Sequence, residues 1–218
     1  MHPERPTDRR AALKNRHRQA IIDAAAALMD ERAGTDFTVD ELARRADVSR
    51  RTIFNHFSSV DDVVTEVCGD ALGSVVEALA AVPTECGGAE SSILEEMAGA
   101  FRAADLVAPM AYLTRVLGGP AENPSPRQAL MTVRVFTDVS DRLLEAMVRR
   151  RPDADRLPLH LLVGSLAGGV AVLYHHWAAE TGAVDTPESR QVWARHLERL
   201  IEAVRDGHGA EPSARAPA

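Results

Sequence analysis

Little in this chain of 218 residues serves covalent or metal chemistry. Its two cysteines, Cys68 and Cys86, stand apart without CxxC spacing, so they build neither a zinc framework nor a secreted disulfide scaffold. Aromatic residues make up 4% of the sequence and no strand-like alternation persists, which speaks against the sheet classes. No GxSxG, HExxH, P-loop or GxGxxG run occurs and no nucleophile stands beside a base, so the chain does not read as an enzyme and implies no cofactor and no metal. Lysine is almost missing: Lys14 is the only one. The opening residues Met-His-Pro-Glu-Arg-Pro-Thr-Asp hold no apolar signal region. The longest weakly polar run, Leu161–Tyr174, has 14 residues and falls short of the ~20 that a membrane helix needs. A cytoplasmic protein with no membrane partner is therefore expected.

What is present is Ala, Leu, Val and Arg recurring at helical spacing, which predicts an all-α fold. The net charge of −7 argues against a non-specific nucleic-acid coat, yet charge is uneven. Residues 1–60 carry 11 Lys/Arg against 9 Asp/Glu, and residues 61–218 carry 14 against 23. A mildly basic head on an acidic body fits a site-specific DNA binder whose larger part faces something else. A nucleoid-type binder without an effector fits the acidic body poorly, and a helical enzyme carrying the same head would need convergent acids and bases that the body lacks.

The stretch Thr38–Val60 carries the most information. Thr38-Val39-Asp40-Glu41 is a capping box, with Leu42, Ala43 and Ala46 giving its helix one small apolar face. Asp47-Val48-Ser49 breaks that helix, Asp tolerating a left-handed backbone and Ser49 able to cap a second helix. This second helix is expected over Arg50–Phe57. Ile53 and Phe57 lie four apart and face inward, leaving Arg50, Arg51, Thr52, Asn55 and His56 outside. This is the pattern of a helix-turn-helix whose second helix enters a major groove.

The residues Val48-Ser49, Thr52-Ile53-Phe54-Asn55-His56-Phe57 and the Leu42-Ala43 pair resemble the DNA-binding domain of the TetR family of repressors, from about Arg16 to Val67. There are three departures: Asp47 stands where the family has Gly, Phe54 where it has Tyr, and Val60 where it has Lys. The resemblance implies a ligand-responsive transcriptional repressor. It further implies a homodimer paired through the last two long helices and a double-stranded, near-palindromic operator. Arg50 and Arg51 are then candidates for guanine, Asn55 for adenine, Thr52 for a thymine methyl or phosphate, and His56 for phosphate. Phe54 and Thr38 complete the candidate DNA surface, with Arg16 on the first helix as a backbone or minor-groove contact.

Along the chain, the first helix is expected from Ala11, packing through Ile21, Ala25 and Leu28. A fourth helix is expected from near Ser59 to about Ala81, running out of the head as a lever into a body of five further helices. Domains are accordingly drawn at residues 1–58 for DNA binding, 59–206 for effector binding and dimerisation, and 207–218 as a disordered tail. Met131, Val135, Val139, Leu143 and Met147 follow i+4 steps on one long helix, and Gly164, Ala167, Gly168 and Ala171 make a small-residue face on another. The effector is expected among Met97, Phe101, Met110, Tyr112, Leu113, Met131, Val135, Phe136, Tyr174 and Trp177, residues that would equally fill a plain core. His175-His176 point about 100° apart on a helix and read as structural or ligand-facing rather than as a metal pair.

Overall fold

The computed structural model describes residues 6–81, 93–119 and 125–207. Among them all regular structure is helical, as the spacing predicts: α1 (Pro6–Arg32), α2 (Val39–Arg45), α3 (Arg50–Phe54), α4 (Val60–Ala71), α5 (Ser74–Ala81), α6 (Ile93–Ala103), α7 (Val107–Leu117), α8 (Pro126–Arg150), α9 (Arg156–Thr181) and α10 (Pro187–Asp206). The loop around Pro83–Gly88 and the tail from residue 208 lie outside the described residues.

Two compact units emerge. The first holds residues 1–71 and 113–135, the second 72–112 and 136–218, so α7 and α8 each supply residues to both. In the first unit, α1 lays Ile21, Ala25, Leu28 and Met29 over a small core closed by Phe37, Leu42, Ile53, Phe57, Val63, Val64 and Val67, all buried. The i, i+4, i+7 stripe on α1 performs the packing that its spacing implies. α1 starts at Pro6, earlier than the Ala11 expected from the sequence.

The expected lever from Ser59 to Ala81 is two helices. The ladder stops at Ala71, and Leu72-Gly73 turn before Ser74 opens α5, with Val76 and Glu77 both donating to the Gly73 carbonyl. Glycine inside a helix costs about 1 kcal/mol against alanine, and Leu72 is buried by the turn. Ten helices thus replace the expected nine among the described residues.

In the second unit α9 and α10 form an antiparallel pair fastened at one end. Thr186 caps α10, accepting from the Ser189 N–H at 3.1 Å, with Pro187 in the first turn as read from the sequence. The Trp177 indole N–H donates to the Ser189 carbonyl at 3.1 Å, and Trp177 meets Trp193 edge-on at 5.7 Å. Close approach is permitted by Gly169, where a Cβ would sit 2.2 Å from the Leu200 Cδ1. The contact is made by Gly169, which the small-residue face read from the sequence did not include; Gly164 and Gly168 of that face look onto open space.

Charge binds α6 to its neighbours in this unit. Arg102 chelates Glu198 on α10 with two bonds of 2.8 Å, and Arg205 reaches Glu95 at 2.8 Å. Arg151 and Arg150 converge on the buried Glu96, while Arg149 lies 3.7 Å from Glu145, so the basic triplet ends α8 in ion pairs. The α8 stripe Met131, Val135, Val139, Leu143 and Met147 is buried along its whole length.

Candidate nucleic-acid interface and ligand cavity

The helix-turn-helix is fixed by its caps. The Thr38 N–H donates to Glu41 Oε2 at 2.8 Å and the Glu41 N–H to Thr38 Oγ1 at 3.3 Å, both halves of the capping box. Arg32 from α1 also reaches Glu41, at 2.5 Å. That guanidinium, with the Thr38 N–H, holds the Glu41 carboxyl down at about 2. Asp47 takes the left-handed turn at φ 51, the conformation that favours glycine. The Val48 N–H then donates to Ala43, and Ser49 caps α3 by accepting from Thr52 at 3.1 Å.

The reading helix is shorter than expected. α3 ends at Phe54, Asn55 is its C-cap, and the His56 and Phe57 N–H groups both return to the Ile53 carbonyl. Asn competes for backbone bonds and favours such ends. Ile53 and Phe57 are buried; Arg50, Arg51, Phe54 and Asn55 are exposed. Phe54 is 50% exposed, an aromatic face on the solvent side of this helix. Arg50 lies 3.2 Å from Asp40 on α2. Thr52 shares a 2.8 Å hydrogen bond with the Ser49 hydroxyl, and the Thr38 hydroxyl is engaged with Glu41 inside the box.

α1 adds a basic group beside this helix. Arg18 lies over the Phe57 ring at 5.3 Å and pairs with Glu66 at 2.5 Å. His56 is half-buried, and burial first, then Lys14, His17 and Arg18, push its pKa below the usual histidine range. Arg16 is exposed on the same helix. The sequence marks Lys14, Arg16, His17 and Arg18 as one basic stretch opening the first helix; the nearness of Lys14, His17 and Arg18 to His56 is tertiary.

In the second unit Leu72, Val75, Phe101, Met110, Phe136 and Leu143 are among the residues around a cavity of about 20 Å³ whose lining is wholly apolar. That is room for about one water. Of the predicted effector contacts, Phe101, Met110 and Phe136 line it. Met97 is buried on α6, Tyr112 half-buried on α7, and Tyr174 lies 6.4 Å from Trp177 beside α10. Leu113, Met131 and Val135 are buried in the first unit.

α9 is apolar nearly all round. Its 26 residues, with a mean hydropathy of 1.7 over the best window, have the length and composition to cross a bilayer, more than the 14-residue run suggested. One side packs into the unit through Leu159, Val163, Leu166, Val170, Tyr174 and Trp177. The other carries Leu157, Leu161 and Val172, each more than half exposed, around the open Gly164 and Gly168. His175 and His176 are exposed on this helix, and the His176 ring lies 6.4 Å from that of the buried His196.

Comparison with known proteins agrees with this geometry. Residues 21–67 match the family described as bacterial regulatory proteins, tetR family. No curated protein matches the chain. Among solved structures, Thermus thermophilus FadR, a TetR-family transcriptional repressor in complex with lauroyl-CoA, is similar with a TM-score of 0.55 and 22% identity. The match covers 92% of this chain and 99% of that one. At such identity the likeness speaks for the fold, and it extends the all-α architecture over nearly the whole chain. Cap, left-handed turn and second helix thus coincide with the matched segment, and over residues 21–67 this helix-turn-helix head is similar to the tetR family of bacterial regulatory proteins.

Proposed function

We propose that the protein is a ligand-responsive transcriptional repressor acting in the cytoplasm as a homodimer on a palindromic operator. The observation that carries this is the reading helix: a doubly capped turn holds α3 so that Arg50, Arg51, Phe54 and Asn55 all face solvent while Ile53 anchors it in the core. Arg50 and Arg51 suit the O6 and N7 of guanine, Asn55 suits adenine, and the Phe54 ring suits a thymine methyl. Arg16 and Lys14 supply charge for phosphate and the neutral His56 ring can donate a hydrogen bond to it, contacts that position the head without reading sequence. Residues 1–58 would form the DNA-reading part and 59–206 the effector and dimer part.

A second copy is the natural cover for the free side of α9. Leu157, Leu161 and Val172 are large and exposed, and the glycines between them admit a close helix. Two heads then meet half-sites about 34–36 Å apart. The effector belongs to the apolar cavity, whose lining suits an acyl chain of the kind FadR holds in its lauroyl-CoA complex. The cavity must open to admit it. Leu72 and Val75 flank the break at the end of α4, so a ligand there presses on the first residues beyond the head.

Operator selection from random duplexes, followed by titration with acyl compounds, tests this reading. Binding by a dimer to a palindrome is expected, with an effector lowering affinity roughly 5- to 150-fold, the range of a coupling of about 1–3 kcal/mol. A monomer at micromolar concentration, or selection of no sequence, overturns it.

A further inference from the structure

A second, larger pocket lies wholly within the first unit, apart from the apolar cavity. It measures about 310 Å³, opens to solvent, and is bordered by the turn after α1, the end of α7 and the start of α8. Arg115 and Arg127 are in its lining, and none of the described residues that line it carries a carboxylate. The remainder mixes the polar Thr35 and Gln128 with the apolar Val116 and Met131.

The frame of this pocket is built. Ser125 and Gln128 form a reciprocal box at the start of α8, the Ser125 N–H donating to Gln128 Oε1 at 2.9 Å and the Gln128 N–H to Ser125 Oγ at 3.2 Å. The Gln128 Nε2 also donates to the Leu117 carbonyl at 2.9 Å, joining the end of α7 to the start of α8. Gly118, at φ +89, makes room for it; a Cβ there would lie 2.4 Å from that same nitrogen. The positive end of the 25-residue α8 dipole adds to the charge of the two arginines.

Each guanidinium is answered by a carboxylate outside the lining. Arg115 Nη2 lies 2.6 Å from Asp30 Oδ1 on α1, and Arg127 Nη2 lies 2.8 Å from Asp61 Oδ1 in the first turn of α4. Both pairs are well exposed, and exposed pairs of this kind hold weakly, so a rival anion displaces their carboxylates at little cost. We propose that this pocket takes the carboxylate or phosphate group of a small amphiphilic molecule, which exchanges with Asp30 and Asp61 for Arg115 and Arg127. The apolar wall takes the adjoining carbon chain. Because Asp30 and Asp61 belong to the head helices α1 and α4, the exchange leaves two unneutralised carboxylates on the head, and this added negative charge lowers its affinity for the operator phosphates.

The consequence for regulation rests on the repressor reading, whereas occupancy of the pocket does not. Laurate and dodecanol, matched in chain length and kept below micellar concentrations, are titrated calorimetrically into the full chain, with operator binding followed in parallel. Laurate is expected to bind at least tenfold tighter than dodecanol and to weaken operator binding. In R115Q/R127Q that preference should fall to near unity. Asp61→Asn removes the rival of Arg127, so laurate should bind it severalfold tighter, a gain that damage to the fold would not produce. A preference that survives in R115Q/R127Q, a loss of laurate affinity in Asp61→Asn, or equal binding of both probes to the parent chain overturns the pocket. Failure to bind any operator strikes the repressor reading instead, and the laurate-to-dodecanol ratio still decides the pocket.

Discussion

Arg50 and Arg51 sit at the start of the reading helix and Arg16 on the outer face of α1, and these places predict different losses. Replacing Arg50 or Arg51 by Ala should cost about 1–3 kcal/mol and relax preference at one operator position. Arg16→Ala should weaken all sequences alike and reduce the salt slope by about one. Selection-based binding profiles at two salt concentrations separate the outcomes; uniform weakening by all three removes the base readers. Glu41 makes a second test. Its carboxyl is held at about 2 by Arg32 and Thr38, below its usual 4.5. The depressed folded value means that its contribution is complete above 4.5 and is lost as pH falls towards 2. Glu41→Gln should therefore lower the melting temperature at neutral pH, and the gap to the parent should close in strong acid. The capping box was legible because it is local: Thr38 and Glu41 are three residues apart. The Arg32 contact that depresses Glu41 spans nine residues and left no pattern in the sequence.

At the scale of elements, helices whose faces repeat regularly were legible and their ends were less so. The α8 stripe from Met131 to Met147 is buried as its i+4 spacing requires, and Thr186-Pro187 start α10 as read. α3 ran short because its end depends on the turn at Asn55–His56, and the long fourth helix divided because its apolar period continues through Gly73 although the backbone ladder does not. The effector residues were the hardest to read. An apolar side chain carries no mark telling cavity wall from core, and only Phe101, Met110 and Phe136 of the predicted group meet the cavity. Leu143 is 1% exposed and lines it as well. Leu143→Ala should cost about 2–5 kcal/mol in denaturant unfolding. It should also enlarge the space, so that an apolar ligand recovers part of the loss. An acyl compound that stabilises the parent and this variant by the same amount would place the ligand elsewhere.

For the whole molecule, the glycines of α9 give readouts of opposite sign. At Gly168 a methyl meets nothing within 4 Å, so Gly168→Ala should stabilise the isolated chain by about 0.5–1 kcal/mol through helix preference. If the same face is closed by a second copy, the methyl should weaken the dimer, measured as a higher dissociation constant by sedimentation equilibrium. An unchanged constant would place the partner on another surface. The break at Leu72–Gly73 carries a different consequence, one of gearing. The 12 residues of α4 make an arm of about 18 Å at 1.5 Å per residue. Pivoted at the break, a swing of roughly 10° moves its far end by about 3 Å, close to the ~3.4 Å spacing of successive base pairs. On the repressor reading, an angular adjustment of that size at this joint would put α3 out of step with an operator half-site by about one base pair.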